Sequence, residues 1–359
     1  MQKLRTFTTT GLVDIHFHGA FGVDLMSASP RKLNELSDLL WKNGVAGFCP
    51  TTVSAPKGPL LESVQRLGQW ICDKSPDKTG ATPLGIHLEG PFLSSGACGA
   101  HPPLALRKLT WQELQELWVA SRETLKILTL APETLSREEL KELGAWCRKR
   151  GVVLSLGHSL ATAQEAEFAF ENGFSGITHA WNAMPFHSRA PGILGAALGR
   201  KNLYLELIID RAHLSPEVIR WTRKLHSPHP LCFISDCISA GGWAEGEKGS
   251  PAARSKMKYT LGSQQVQFTD GACRLKNGQL AGGGLLLSQS YVRWATAEAV
   301  ELGQSPWKIL QETARYATTD PLEALGFSKK SVFNKKVRWK VDPSGKIQVF
   351  PVDSAASSR

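Results

Sequence analysis

Several things are missing from this 359-residue chain, and each absence excludes a class of protein. There is no run of eighteen or more apolar residues, which argues against a helical membrane span. The opening stretch, Met1 to Thr10, lacks an apolar core of signal-peptide length, so the expectation is a cytoplasmic protein with no membrane partner. Seven cysteines (Cys49, Cys72, Cys98, Cys147, Cys232, Cys237, Cys273) form an odd set without a CxxC pair. Free thiols in a reducing compartment are expected, not a disulfide framework. No repeat appears beyond the alternation described below. The net charge is +10, but no aromatic-interleaved basic module accompanies it. Much of the excess lies in Lys329-Lys330 and in Lys335-Lys336-Val337-Arg338-Trp339-Lys340, which reads as a solvated face. Nucleic acid is therefore not an expected partner.

What is present begins with Gly11-Leu12-Val13-Asp14-Ile15-His16-Phe17-His18-Gly19. On a strand, residues i and i+2 point to one face, so His16 and His18 aim two imidazoles at one place. Seven more apolar strands follow, at 45–53, 83–92, 125–133, 152–159, 176–179, 203–210 and 231–236. Helical stretches lie between most of them, at 31–43, 59–73, 110–120 and 136–150, with another running to about Asn172. Few strands alternate with period two, as expected of parallel strands covered on both faces. Eight such units in about 240 residues predict an α/β fold, a closed (β/α)8 TIM-like barrel. The rival, a doubly wound sheet, usually carries a glycine-rich phosphate loop after its first strand, and His16-Phe17-His18-Gly19 stands there instead.

The expected organisation is a short N-terminal segment (1–10), a barrel core (11–242) and a β-rich insertion (243–281). C-terminal helices (282–328), a basic hairpin (329–352) and a disordered tail (353–359) follow. The insertion opens with a polar loop at 243–258. The N-terminal segment and hairpin would leave only a small, reduced β-rich accessory domain.

The polar groups fall in a consistent place. His16 and His18 end the first strand, Glu89 the third, His158 the fifth, His179 the sixth and Asp236 the eighth. Active sites of such barrels are built at strand C-terminal ends. Imidazoles with a carboxylate bind a zinc-type ion while leaving room for a water, whose pKa the ion lowers. Asp236 is the remaining carboxylate, suited to take the water proton and pass it to a leaving amine. The set describes hydrolysis of an amide or related C–N bond by metal-bound hydroxide.

The motifs DIHFHG, GIHLEGPF, LAPE, LGHS, THAWNAMP and ISDCISAGG resemble those of the N-acetylglucosamine-6-phosphate deacetylase family, within the amidohydrolase superfamily. The resemblance covers most of residues 11–242. It implies a homodimeric (β/α)8 enzyme that converts N-acetylglucosamine 6-phosphate to glucosamine 6-phosphate and acetate. It also implies one or two divalent ions (Zn, Fe, Mn or Co) per subunit. By that resemblance Glu89, His158 and His179 are the principal metal ligands, and His16 and His18 the pair of two-metal members. Asp236 is then the catalytic acid/base. Asn182, Ala183, Arg189, His101, His213 and Leu280 are the residues that meet the phosphorylated sugar, with Arg189 able to reach across a dimer interface.

There are departures. Only about ten residues precede the first strand, and Phe327 to Lys340 replaces a glycine-rich closing motif. Arg211 stands where the family's pattern has glycine, two residues before His213, and would reshape the pocket or add phosphate affinity. An amidohydrolase for a different N-acyl sugar phosphate or a cyclic amide is the alternative function. A catalytically inactive barrel used for binding is a further one.

Overall fold

The computed structural model describes residues 4–74, 79–243, 258–269, 272–327 and 334–352. Most of the loop expected at 243–258, the pair Lys329-Lys330 and the tail expected at 353–359 lie outside the described residues.

Strand β1 (Arg5–Thr10) leads through Gly11 into β2 (Leu12–Phe17). A small antiparallel pair, β3 (Gly19–Ala20) and β4 (Val23–Asp24), comes next. β2 pairs in parallel with β5 (Val45–Pro50), on whose other edge lies the short β6 (Thr82–Pro83). β7 (Ile86–Glu89), β8 (Leu125–Leu130), β9 (Val153–Leu156), β10 (Phe174–Ile177), β11 (Tyr204–Ile208) and β12 (Leu231–Ile234) form one parallel sheet in sequence order. Parallel bridges from Thr51 to His87 and from Phe17 to Cys237 join the two sheets into a ring. The expected (β/α)8-type barrel is what the chain forms. All six residues of β2 and of β5 are buried, because helices cover the outside and side chains fill the inside.

The two sides of the barrel wall carry different residues. Leu128, Leu154, Leu156, Leu205, Leu207 and Phe233 belong to the core beneath the helices. Ile127, Tyr204, Ile208, Cys232 and Ile234 form a second cluster, which Leu322 and Leu325 complete. Those two leucines come from the segment after Asp320, whose carboxylate accepts the backbone N–H of Leu231 at the start of β12. They close the end of the barrel opposite the site.

The helices begin where short polar side chains meet the backbone. Ser29 accepts from the Lys32 N–H at the start of α1 (Pro30–Lys42), with Pro30 filling a position that needs no N–H donor. Ser136 with Glu139 and Thr162 with Glu165 form reciprocal capping boxes. The helix read from Pro59 starts earlier, making α2 Lys57–Asp73. Pro59 sits in its first turn, where its missing N–H costs nothing.

Two small sheets flank the barrel. β13 (Tyr259–Leu261), β14 (Gln264–Thr269) and β15 (Ala272–Leu275) make an antiparallel meander packed on Val53, Ile238 and Ala240. Buried Asp24 ties it down by accepting from the Thr260 hydroxyl (2.8 Å) and the Gly262 N–H (2.9 Å). β16 (Lys336–Val341) and β17 (Ile347–Val352) form a hairpin that β1 extends to three strands. Val337, Trp339 and Val341 face inward while Lys336 and Arg338 are exposed, so these cations lie on a solvated face.

The helix Leu287–Glu301 covers β12. Its Trp294 is fully buried, stacked on Tyr291 (6.1 Å) and edge-on to Phe233 (5.1 Å). Trp294→Ala is expected to destabilise the fold by about 3–5 kcal/mol, since the cavity cannot collapse between the packed rings of Tyr291 and Phe233. Urea unfolding checks this: the midpoint falls with unchanged slope, and a loss below about 1 kcal/mol refutes the packing role.

Candidate active site

Five of the eight barrel strands deliver a polar group to the mouth. His16 and His18 arrive on β2 and just after it, and Glu89 is the last residue of β7. His158, His179 and Asp236 lie two residues beyond β9, β10 and β12. Each of these three has a left-handed φ (+49°, +31° and +49°), the sharp turn by which the chain leaves the barrel wall. Such backbone persists in non-glycine residues where the surroundings hold it, and it concentrates at functional sites.

Glu89 is the centre of the cluster. Its Oε1 lies 3.0 Å from His179 Nε2 and 3.2 Å from His158 Nε2. Its Oε2 lies 3.3 Å from His16 Nε2, 3.2 Å from His18 Nε2 and 3.3 Å from His101 Nε2. One carboxylate thus stands between two imidazole pairs. The paired nitrogens are 3.2 Å apart in His16/His18 and 2.9 Å apart in His158/His179. Asp236 Oδ1 joins the first pair, 3.2 Å from His18 Nε2 and 3.5 Å from His16 Nε2.

Partner chemistry sets the tautomers. His158 Nδ1 donates to the Ala97 carbonyl (2.9 Å), which frees the Nε2 lone pair for the cluster. His101 is the reverse: its Nδ1 accepts the Ser54 N–H (3.1 Å), so its Nε2 carries the proton. His101 is therefore a donor in the pocket. His87 donates from Nδ1 to the Ile15 carbonyl (3.0 Å) and accepts from the Thr129 hydroxyl at Nε2 (2.7 Å). Both its nitrogens are committed, so it is a structural histidine.

The electrostatics call for positive charge. Burial opposes charge on His16 and His18, but the nearby carboxylates outweigh it. His16 is held well above the ordinary imidazole range, and His18 is raised to about 9. Glu89 and Asp236 are held below the ordinary carboxylate range: burial alone would raise them, but the imidazoles prevail. His158 is pushed down to about 4 by burial and then by His101, which keeps it neutral. Buried carboxylates among convergent imidazole nitrogens make a donor set suited to a divalent cation. Among the described residues three groups of side chains have that spacing: His16/His18/Asp236, His16/His87/Glu206 and Glu89/His101/His158.

A cavity of about 360 Å³ opens above the cluster. His18, Glu89, His101, His158, His179 and Asp236 line it on the polar side. Asn182, Ala183, His213 and Leu280 are also in its lining. His213 Nδ1 donates to Asp210 Oδ2 (2.9 Å). Burial works against protonation of His213, but Asp210 more than compensates and raises its pKa.

Two arginines singled out in the motifs stand apart from the cavity. Arg189 is exposed on the loop after Met184 and does not line this cavity. Arg211 does not line it either: its guanidinium pairs with Glu301 (2.6 Å), on the helix Leu287–Glu301. The expectation that it reshapes the pocket or adds phosphate affinity is corrected accordingly. Its φ of +69° is the conformation that favours glycine.

Glu206, Asp210 and Ser54 were missed by motif reading. Glu206 had a signal, a lone acid in the apolar run Leu203-Tyr204-Leu205-Glu206-Leu207-Ile208. A carboxyl group inside a buried strand needs partners there.

No protein-family model matches the chain. It is 34% identical over 316 residues to an N-acetylgalactosamine-6-phosphate deacetylase of Escherichia coli O157:H7, covering 88% of this chain and 77% of that protein. It is 31% identical over 280 residues to the N-acetylglucosamine-6-phosphate deacetylase of Bacillus subtilis, covering 78% and 67% respectively. The crystal structure of the Thermotoga maritima N-acetylglucosamine-6-phosphate deacetylase superposes with a TM-score of 0.77 at 31% identity, over 96% of this chain and 86% of that one. A Mycobacterium smegmatis mutant deacetylase, in complex with N-acetyl-D-glucosamine-6-phosphate, superposes with a TM-score of 0.81 at 26% identity, over 95% and 84%. Identity above 30% across two thirds or more of full relatives, on a shared barrel, leads to one conclusion: the chain belongs to the N-acetylglucosamine-6-phosphate deacetylase family.

Proposed function

We propose that this protein hydrolyses the N-acetyl group of N-acetylglucosamine 6-phosphate, giving glucosamine 6-phosphate and acetate. The observation that carries the reading is the meeting of Glu89, four imidazoles and Asp236 at the floor of one cavity. Glu89, His158 and His179 would hold a divalent cation, and His16 and His18 a second. Such an ion supplies Lewis acidity toward the acetyl carbonyl and a water acidified toward neutral pH. Zn, Fe, Mn and Co all suit these donors.

The chain's own groups do the rest. Asp236, held ionised, accepts a proton from the attacking water and delivers it to the departing nitrogen. The C–N bond breaks as the new C–O bond is kept, so the products are a carboxylate and an amine. His101 offers its Nε2–H to the substrate, and His213, oriented by Asp210, offers its free edge to the sugar. Asn182, Ala183 and Leu280 shape the sugar site. Arg189 is assigned to the 6-phosphate of a second copy's substrate in a homodimer, which accounts for its exposure on a single chain.

The experiment is acetate release, with metal content measured on the same sample. Turnover of N-acetylglucosamine 6-phosphate that a chelator abolishes and added metal restores supports the reading. No turnover with metal bound refutes it. The relative matched over 88% of the chain acts on the galacto epimer by its name, so N-acetylgalactosamine 6-phosphate is the second substrate to compare. Arg189→Ala is expected to raise KM for the phosphorylated sugar about tenfold or more, with little change for the unphosphorylated one. Equal effects on both remove Arg189 from phosphate recognition.

A further inference from the structure

Glu206 lies in the middle of β11, with no exposure to solvent. Its Oε2 accepts the backbone N–H of His179 at 3.1 Å and sits 3.0 Å from His16 Nδ1. The Nδ1–H of His16 completes the second lone pair of that oxygen. A proton on Nδ1 leaves the Nε2 lone pair of His16 facing Glu89, His18 and Asp236. The same oxygen holds His179 through its backbone, where φ is +31° and the chain must be restrained. One carboxyl group therefore touches both halves of the cluster, one through a side chain and the other through the main chain.

Glu206 could instead be a direct ligand, since its oxygen groups with His16 and His87 within ligand spacing. His87 rules this out. Its Nδ1 is spent on the Ile15 carbonyl and its Nε2 on the Thr129 hydroxyl. His16 cannot ligate through Nδ1 while that atom donates to Glu206. Neither histidine has a lone pair free on that side.

We propose that Glu206 is a positioning residue that fixes the tautomer of His16 and thereby creates the cation site of His16 and His18. The cation held by Glu89, His158 and His179 depends on it less, because the Ala97 carbonyl orients His158 instead. Carboxylate–histidine–metal arrangements of this kind typically change metal affinity 10–100-fold when the outer carboxylate is lost. The inference rests on reading the cluster as a cation site, not on the identity of the substrate.

The test uses the full chain and needs no turnover. Zinc binding is titrated against a chromophoric chelator in the wild type, Glu206→Gln and Glu206→Ala. Nitrogen-15 spectra of histidine-labelled protein report the His16 tautomer, with His16→Asn identifying the resonance. In the zinc-loaded wild type His16 is expected to be protonated on Nδ1 alone. Glu206→Ala is expected to lose zinc at one position by roughly 10–100-fold while retaining the other. Glu206→Gln keeps an acceptor oxygen, with its amide nitrogen in the place of the unpartnered Oε1, so it is expected to fold even if the alanine variant does not. It is expected to keep the His16 tautomer and to lose less affinity than the alanine variant. Identical zinc isotherms in wild type and Glu206→Ala, or a zinc-loaded wild type in which His16 carries no proton on Nδ1, overturn the proposal. Failure to release acetate from any sugar overturns the substrate assignment and leaves this result standing.

Discussion

Asp236→Asn is expected to fold, to keep its metal and to lose turnover by about 10²–10⁴-fold, the usual contribution of a positioned acid/base. Asparagine has the same shape and still accepts a hydrogen bond from His18, so the cavity floor is kept. It cannot take a proton from water and hand it to nitrogen. Two features make Asp236 the right group to test. Its Oδ1 lies within 3.5 Å of both His16 and His18, at the floor of the cavity. Its pKa is held below the ordinary range because the imidazoles outweigh burial, so it is ionised and ready to act as a base at neutral pH. The measurement is kcat for acetate release with metal content determined in parallel. Activity within threefold of wild type at equal metal content sinks the assignment. Loss of activity with loss of metal makes Asp236 a ligand first.

Glu89→Gln is expected to have the second large effect, by a different route. Five imidazole nitrogens lie 3.0–3.3 Å from the two Glu89 oxygens. Gln turns one of those oxygens into an N–H donor facing nitrogen lone pairs, and it removes the central negative charge. Metal content is expected to fall to trace levels, and turnover to the level of chelator-treated wild type. Elemental analysis after gel filtration decides it: a full metal complement in Glu89→Gln refutes the central role of Glu89.

The same argument sets the pH dependence of metal binding. Without a cation, His18 holds its proton up to about pH 9. Its folded pKa is raised, so the proton is bound below that pH and released above it. A metal ion must displace that proton, and affinity therefore rises as pH increases toward about 9. The acid limb of activity is expected to move to lower pH when free metal is raised tenfold. An acid limb that ignores metal concentration refutes proton–metal competition as its cause.

The barrel was legible because its signals are local. Apolar runs without alternation mark strands buried on both faces, and Ser29 and Ser136 mark helix starts with a single side chain each. The alternation of a strand made it predictable that His16 and His18 would point together, and their Nε2 atoms are 3.2 Å apart. The placement of Glu89, His158, His179 and Asp236 at strand ends was equally readable, since a barrel brings all strand ends to one mouth.

Other features depend on contacts that no local rule reaches. Glu206 and His16 are 190 residues apart, and only ring closure brings them to 3.0 Å. The tautomer of His101 is decided by the Ser54 N–H, 47 residues away, and that choice separates a proton donor from a ligand. Arg211 looked like a cation for the pocket until the helix Leu287–Glu301 took its charge. Arg189 carries a motif's expectation onto an exposed loop that does not line the cavity. By itself, the sequence determined which residue types stand at the ends of which strands, because propensity, capping and strand alternation act over a few residues. The tertiary structure alone decided which nitrogen of each histidine faces the cluster and which charges are already spent. Those outcomes depend on hydrogen bonds between atoms that are distant in the chain and about 3 Å apart in space.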